Sequence, residues 1–414
     1  MLEDLLEPLI KIFIVFAGLM AAAAYLVWVE RRVAAWIQDR RGPNRVGIPL
    51  TRIRIFGLGQ PIADGVKFIF KEEFTPRHVD KFLYFVAPMA LFAAAIAVYA
   101  VVPFGSVRIF GRDIHLIVAP GVDVGMVYIF AVSSIAVYGV VLGGWASNNK
   151  YSFLGGLRSS AQLISYEIPV GLGILGIVLA TGSLRLETIV ADQARSGLWN
   201  VMLQPLGFLV FVVAACAESE RLPFDMAEAE QELVGGFHTE YSGMKLMMYL
   251  VAEFLHMVTA SFLIVILFLG GWHLWGMSNG EEAFAAGELV QGASWPVALL
   301  RVCVLLGKVL AVILAFMVVR WSWPRFRFDQ LMRLAWQVLL PLGFVNLVVV
   351  AVWIEYGTHL ARAMGVPEGL MMAVWGWTAL IGCWVVVMLA APATSDNRPR
   401  LPGLPRGERE EMRG

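Results

Sequence analysis

Charged side chains and cysteines are scarce in this 414-residue sequence, and their scarcity excludes several classes of protein. Charged residues make up 15% of the chain, against roughly 25% in ordinary soluble domains. The three cysteines, Cys216, Cys303 and Cys383, lie in apolar runs without CxxC spacing, and the six histidines show no paired spacing. The pattern argues against a disulfide framework, a zinc site and an iron–sulfur cluster.

Basic residues are absent from the first eight positions, which carry three acidic ones, Glu3, Asp4 and Glu7. A secretory signal peptide begins with a positively charged segment, so the first apolar run is expected to stay in the membrane. The formal net charge is zero. Only the distribution of charge along the chain is therefore informative.

Apolar residues dominate, at 59% of the chain with a mean hydropathy of +0.71. These values predict an all-α integral membrane protein. Nine runs approach the roughly 20 residues that one crossing helix needs. They lie at residues 9–29, 82–103, 124–145, 161–181, 201–217, 246–271, 297–319, 334–354 and 369–391. We expect one polytopic domain over 1–391 and a disordered cytoplasmic tail over 392–414, where Pro, Arg, Gly and Glu are frequent.

Lys and Arg are unevenly spread between the predicted loops. The loop at 30–81 carries eleven of them and the 320–333 loop carries four, whereas the 272–296 loop carries none. Because cytoplasmic loops are enriched in Lys and Arg, the N-terminus is expected outside and the C-terminus inside.

An acidic segment lies between two apolar runs. Arg221 is its only basic residue before Lys245. Its seven carboxylates are Glu218, Glu220, Asp225, Glu228, Glu230, Glu232 and Glu240. Placing a charged side chain beside lipid costs free energy. A membrane protein that keeps such a cluster is expected to use it to bind protons or a buried polar substrate. A solvated acidic loop is the alternative, and Asp225 with Glu228 also has the spacing of a helix-capping pair.

Two further carboxylates, Glu167 and Glu253, fall inside predicted spans. Ser159 and Gln162 have capping-box spacing, which predicts that a helix starts there and places Glu167 about two turns in. A glutamate is too short to reach far toward the membrane surface. We therefore favour a functional role for both carboxylates.

The basic side also has aromatic and apolar patterning. Ile62, Val66, Ile69 and Phe70 have the spacing of an amphipathic helix lying in the membrane interface over 59–73. The basic and aromatic residues of 321–330 add a second cluster on the same side. The two loops are predicted to form a docking surface, although topology alone explains most of the arginines.

Glycines at 171, 173 and 176 match GxGxxG, but they lie within a span rather than after a strand. Dinucleotide binding is excluded by that context. Close helix packing is the better interpretation, and it extends to Gly139 and Gly143.

Five ordered blocks carry a resemblance to a known family. They read QDRRGPNRVG at 38–47, QPIADGVK at 60–67, AQLISYEIP at 161–169, ESERLPFDMAEAEQELVGGFHTEYSG at 218–243 and PRFRFDQLM at 324–332. With them the chain resembles the family of H-type membrane subunits of bacterial NADH–quinone oxidoreductase, the respiratory complex I, to which subunit 1 of mitochondrial NADH dehydrogenase also belongs. The resemblance implies part of an H⁺-translocating NADH:quinone oxidoreductase, and it allows a ninth span.

The resemblance also implies three groups of residues. The proton-coupling group is Glu167, Glu218, Asp225, Glu228, Glu230, Glu232, Glu240 and Glu253. The quinone-tunnel group is Glu30, Arg31, Arg40, Asp64, Lys67 and Arg221, with Arg320 as a further partner for the acids. The group that docks the hydrophilic arm is Arg325, Phe326, Arg327 and Phe328.

By the same resemblance, the chain binds no cofactor or metal of its own. Its substrate is a quinone, ubiquinone or menaquinone, while FMN and iron–sulfur clusters belong to partner subunits. The partners expected are other membrane-arm and hydrophilic-arm subunits and the lipid bilayer, without nucleic acid. The location expected is the bacterial cytoplasmic (inner) membrane, as a multi-pass protein.

Three alternatives stay open at this point. The first is the homologous membrane subunit of a membrane-bound hydrogenase or of another quinone or methanophenazine dehydrogenase. The second is a stand-alone ion transporter, although no internal repeat of the kind common in transporters is found. The third is a passive anchor without a proton role.

Overall fold

The computed structural model describes most of the chain. The residues described are 2–47, 56–109, 112–226, 230–274, 284–285, 288–289 and 293–390. The predicted disordered tail at 392–414 lies outside them. Within them the chain is mostly helical with very little sheet, and the prediction of an all-α membrane protein is confirmed.

Fifteen α-helices follow one another along the described residues. The first eight are α1 Leu2–Ile37, α2 Gln60–Phe70, α3 Lys81–Ala97, α4 Gly125–Ala146, α5 Lys150–Thr181, α6 Leu186–Ser196, α7 Asn200–Leu203 and α8 Pro205–Glu218. The others are α9 Glu230–Leu233, α10 Gly243–Phe268, α11 Trp295–Ser322, α12 Phe328–Arg333, α13 Leu340–Val352, α14 Thr358–Met364 and α15 Glu368–Ala390. The π-helical stretches Leu334–Leu339 and Trp353–Gly357 join α12, α13 and α14 into one long rod.

Strands are few and short in the described part of the chain. They are β1 Ser106–Ile109, β2 Arg112–His115, β3 Phe284–Ala285, β4 Glu288–Leu289 and β5 Ala293–Ser294. β1 pairs antiparallel with β2 and parallel with β5, and β3 pairs antiparallel with β4.

Eight helices in the described residues are long and apolar enough to cross a membrane. They account for eight of the nine predicted runs. The fifth run forms α8, which has only 14 residues. At 1.5 Å per residue it covers about 21 Å, short of the roughly 30 Å of a hydrocarbon core. A helix of this length that starts at one membrane surface ends before it reaches the other. The acidic segment after Glu218 would then begin within the depth of the membrane.

Two predicted helix limits were wrong. The first span continues to Ile37 rather than ending at residue 29, so Glu30 and Arg31 are helical. The fourth helix begins at Lys150 rather than Ser159, because the side chain of Asn149 caps it by accepting a hydrogen bond from the Tyr151 amide at 3.0 Å. Ser159 and Gln162 thus lie inside α5, where their side chains face neighbouring segments instead of capping.

Small residues bring the central helices together, as the glycine pattern predicts. A Cβ on Gly139 would lie 2.9 Å from the Ala87 carbonyl oxygen, where α4 crosses α3. A Cβ on Gly173 would lie 3.2 Å from the Gly207 carbonyl oxygen, where α5 crosses α8. A Cβ on Gly139 would force the helices apart and one on Gly173 would be tight, whereas Gly171 faces open space. The close approaches at Gly139 and Gly173 support the packing interpretation.

Polar side chains fix the end of α10, the helix that carries Glu253. Gln193 donates to the carbonyl of Ile266 at 2.9 Å and Asn200 to that of Leu267 at 2.8 Å. The ammonium group of Lys308 donates to the carbonyls of Leu269, Gly271 and His273 at 2.6, 2.9 and 2.7 Å. Gln193 and Asn200 satisfy carbonyls that the end of α10 leaves unpaired, and Lys308 binds the turn that follows, so this end of α10 is held in place.

The orientation predicted from the basic loops can be tested on exposed residues at the two ends of the helices. Asn148, beside the 146–150 turn, and Ser196, at the end of α6, are both exposed. In a chain without its own cysteines, we expect Asn148→Cys and Ser196→Cys to react with an impermeant maleimide from opposite sides of the membrane. Labelling of both from the same side would contradict the proposed topology.

Candidate functional site

A large cavity opens at the end of the bundle that carries the basic loops. It encloses about 950 Å³. It is lined by Glu30, Arg31, Ala34, Arg40, Arg41, Gly42, Pro43, Asn44, Arg45, Val46, Gln60 and Trp321. Four arginines in one cavity produce a positive potential that favours an anion or a group that becomes negative during a reaction.

Helix α2 borders this cavity at Gln60 and confirms the predicted amphipathic helix. An ion pair holds it to α1, with Arg31 Nη1 2.8 Å from Asp64 Oδ2. Gln60 supports Asp64 by donating to Oδ1 at 3.1 Å. The apolar residues Ile62 and Ile69 are exposed on α2, as expected for a helix that lies against lipid.

A buried set of ion pairs leads from the large cavity into the bundle. Glu30 is bound by Arg221 Nη1 at 2.8 Å and also by Arg320. Arg221 binds Glu253 as well, with Nε 2.9 Å from Oε1, and its guanidinium lies 3.9 Å above the Phe254 ring. The side chain of Arg221 is 6% exposed. One buried arginine therefore links two carboxylates on different helices.

A second, smaller cavity lies beyond Glu253. It encloses about 50 Å³, more than the roughly 10–15 Å³ that one water molecule needs. The titratable residues that line it are Glu167, Glu218, Glu220, His238, Tyr249, Glu253 and His256. The Ser134 hydroxyl donates to Glu167, and the Ser159 hydroxyl donates to Glu220. Four carboxylates thus line one small cavity, where like charges placed close together repel each other.

The position of Arg221 depends on the turn after α8, which the side-chain amide of Gln162 holds in place. Gln162, in the middle of α5, donates to the carbonyls of Ala217 and Phe224 at 2.8 and 2.7 Å. The Phe224 ring stacks on that of Phe326, with 5.4 Å between the centroids and 7° between the planes. These contacts fix the turn after α8, and so place Arg221 between its two carboxylates.

The predicted docking residues divide between internal and external positions. Arg325 binds Asp225 at 3.2 Å, and Phe326 packs on Phe224, so both stabilise the chain itself. Phe328 is half-buried near Arg158, whose guanidinium lies 5.9 Å from the ring centroid. Arg327 is exposed. Of these four residues, Arg327 is thus the one most available to a partner.

Several predicted site residues lie apart from the two cavities or outside the described structure. Glu232 is exposed and pairs with Arg158 at 2.6 Å, and Glu240 is half-buried and accepts from Asn149 at 2.6 Å. Lys67 is exposed on α2. Glu228 lies outside the described residues, and the side chain of Glu230 is not described either.

Sequence reasoning missed three residues of the smaller cavity, Tyr249, His256 and His238. The first two stand at i−4 and i+3 from Glu253, which places them on the same face of α10, and this spacing was a usable signal. Burial lowers the pKa of His238 to about 4. The ring is therefore neutral near pH 7, with one nitrogen able to donate and the other to accept.

Fold and site together define a class of protein: a polytopic membrane protein in which buried ion pairs join a basic cavity at one membrane face to a carboxylate cavity among the helices. Among the described residues, no group of three or more His, Cys, Asp or Glu side chains is arranged to hold a metal ion.

A family model described as NADH dehydrogenase matches residues 10–351, and the chain belongs to this family. An H subunit of NADH-quinone oxidoreductase from Geobacter metallireducens is 46% identical over 352 residues, which cover 85% of this chain and 97% of that protein. The H subunit of NADH-quinone oxidoreductase from Flavobacterium psychrophilum is 44% identical over 349 residues, covering 84% and 97%. Helix α15 lies beyond the residues matched by the family model.

Proposed function

We propose that this chain is a membrane subunit of a proton-translocating NADH:quinone oxidoreductase in a bacterial cytoplasmic membrane. In this proposal the large cavity receives the quinone, ubiquinone or menaquinone, and the small cavity receives protons. Electrons come from partner subunits that hold NADH, FMN and iron–sulfur clusters. The names of the relatives support the complex, and the two cavities support the division of roles within the chain.

The observation that carries the proposal is the set of ion pairs Glu30–Arg221–Glu253. Glu30 lines the large cavity, Glu253 lines the small one, and Arg221 binds both. A charge change at one end alters how strongly Arg221 holds the carboxylate at the other. Two unit charges 4 Å apart interact by about 4 kcal/mol at an effective dielectric constant of 20, which is enough to move a proton.

The proposed mechanism follows from the reaction's own balance. Reducing one quinone to quinol takes up two electrons and two protons. Negative charge that develops on the quinone is stabilised by the arginines of the large cavity, and protonation then removes it. During this cycle the ion pair between Arg221 and Glu253 weakens and then strengthens again. The carboxylates of the small cavity therefore take up and release protons.

Docking of the hydrophilic arm is proposed at the same membrane face. Arg327 is exposed there, and the loop that holds Arg40 is basic. Arg325 and Phe326 contribute indirectly, because they fix the position of the segment that presents Arg327. Other membrane-arm subunits are proposed to cover part of the remaining apolar surface.

A photoreactive quinone analogue tests the assignment of the large cavity in the assembled complex. We expect crosslinks to residues of 30–47, to 60–70 or to Trp321, because these segments line or border the cavity. Excess unlabelled quinone should remove the crosslinks. Labelling confined to 112–124 or 186–199, at the other end of the bundle, would contradict the assignment.

A further inference from the structure

Three hydroxyl groups lie between the small carboxylate cavity and the membrane face that carries the basic loops. Tyr249, on α10, is 3% exposed and lines the cavity. Tyr241, just before α10, is 4% exposed, and its ring centroid lies 4.9 Å from that of Tyr249. Ser147, at the end of α4, is fully buried. The ion-pair mechanism uses none of these three hydroxyl groups.

Gly143 brings these groups together. A Cβ on Gly143 would lie 3.5 Å from the Tyr241 hydroxyl and would overlap the Tyr249 hydroxyl, so both hydroxyls face the same point on α4. One turn further along α4, the Ser147 hydroxyl donates to the Gly143 carbonyl at 2.7 Å. The Tyr241 hydroxyl lies beside those of Tyr249 and Ser147. Among the described residues it has no partner within the usual limits of hydrogen-bond distance and angle, although it is buried.

A buried hydroxyl without a settled partner is costly, and such groups call for an explanation. A phenylalanine at position 241 would fill the same space without the free-energy cost of burying the hydroxyl. Packing therefore does not explain why position 241 has a hydroxyl group. Burial raises the pKa of Tyr241 to about 12, which keeps the hydroxyl protonated at neutral pH. It can therefore accept one proton and pass on another without ionising.

The outer end of this row meets the surface at Glu240. The carboxylate of Glu240 is half-buried and accepts from Asn149 at 2.6 Å, two residues after Ser147. Its backbone carbonyl accepts from the Tyr84 hydroxyl at 2.7 Å, and the Tyr84 ring stacks on that of Tyr241 at 4.1 Å. A carboxylate held by Asn149 thus lies next to Tyr241 in the chain, and its partner Asn149 lies two residues from Ser147.

We propose that Glu240, Ser147, Tyr241 and Tyr249 form a proton-entry route from the basic membrane face to the carboxylate cavity. A proton reaching Ser147 Oγ displaces the proton already there, which passes to Tyr241 Oη. Tyr241 gives its own proton to Tyr249, and Tyr249 releases one into the cavity. Each hydroxyl ends with one proton and no net charge, and rotation of the hydroxyls restores the starting arrangement. The inference rests on the proposed function, because that function supplies the demand for protons in the cavity.

The test replaces hydroxyls while keeping rings, in the complete complex reconstituted into vesicles. Tyr241→Phe and Tyr249→Phe should assemble and should oxidise NADH with ferricyanide at the parental rate. Quinone-linked proton pumping should fall by about tenfold or more, since a positioned proton-transfer group contributes on the order of 10²-fold or more. The residual rate should slow further in D₂O than the parental rate does. Tyr128→Phe is the matched control, because its hydroxyl donates to the Ala97 carbonyl at 3.1 Å, away from the row.

Parental pumping by both assembled Phe variants, or an equal loss in Tyr128→Phe, would overturn the route. If a Phe variant does not assemble, Ser147→Ala is the variant that tests the route, because it keeps both tyrosine rings and removes one hydroxyl. Proton pumping by Ser147→Ala at the parental rate would also overturn the route. Glu218→Gln is measured alongside. If it loses pumping while the hydroxyl variants keep it, the route is wrong and the carboxylate function stands.

Discussion

Glu218→Gln and Glu167→Gln are each expected to remove most quinone-linked activity and proton pumping while the complex still assembles. Both carboxylates line the small cavity, and Glu167 accepts a hydrogen bond from the Ser134 hydroxyl. Glutamine keeps the size of the side chain and can still accept from Ser134, but it cannot bind and release a proton. We expect a loss of at least about tenfold, since positioned proton-transfer groups contribute on the order of 10²–10⁴ in rate. The measurements are NADH:quinone turnover and acidification in vesicles.

Three comparisons make the result specific. Glu218→Asp and Glu167→Asp should keep part of the activity, because a carboxyl group remains but is retracted by about one methylene. NADH oxidation by ferricyanide should be unchanged in all variants, because that chemistry is proposed to lie in other subunits. Glu368→Gln is the control for removing a carboxylate, since Glu368 is exposed and its ion pair is with the exposed Arg362. Wild-type pumping by the assembled Gln variants would exclude an essential proton role for the two residues.

Hydropathy predicted the membrane spans well because length and apolarity are properties of contiguous residues. Eight of the nine runs are long apolar helices. The limits of α1 and α5 were less predictable. Glu30 continues α1 because its carboxylate is paired with Arg221 and Arg320, so an acidic residue did not mark the end of the span. The start of α5 depends on Asn149, and the capping-box spacing at Ser159 was a chance match within a helix.

The sequence also predicted which residues are chemically unusual, but not how they pair. Glu30 and Arg221 are 191 positions apart, and only the folded bundle brings them together. Glu232 and Asp225 are both carboxylates of the acidic segment. Glu232 is exposed, whereas Asp225 is buried, with 4% of its surface accessible. The difference arises from the turn held by Gln162, whose contacts are tertiary. The family match disfavours a stand-alone transporter, which composition alone left open.

Arg221→Met is expected to have the largest effect on stability. The substitution keeps an unbranched apolar side chain beside Phe254 but removes the positive charge between Glu30 and Glu253. Removing one partner of a buried ion pair costs about 3–5 kcal/mol, because the remaining charge stays buried without compensation. Glu30 keeps Arg320, whereas Glu253 loses the arginine that binds its Oε1. We expect little assembled complex on native gels and a lower melting temperature for what is purified.

A second substitution separates loss of stability from loss of coupling. In Arg221→Met with Glu253→Gln, no uncompensated charge remains at Glu253, so assembly should recover. Pumping should not recover, because the connection between the two cavities is still broken. Arg362→Met is the matched control, since it breaks an exposed pair with Glu368, and such pairs contribute only about 0–1 kcal/mol. If Arg221→Met assembles and pumps normally, the Glu30–Arg221–Glu253 ion pairs neither stabilise the bundle nor carry the coupling. If the double variant assembles and pumps at the parental rate, the pairs serve stability alone, and the signal between the cavities must take another path.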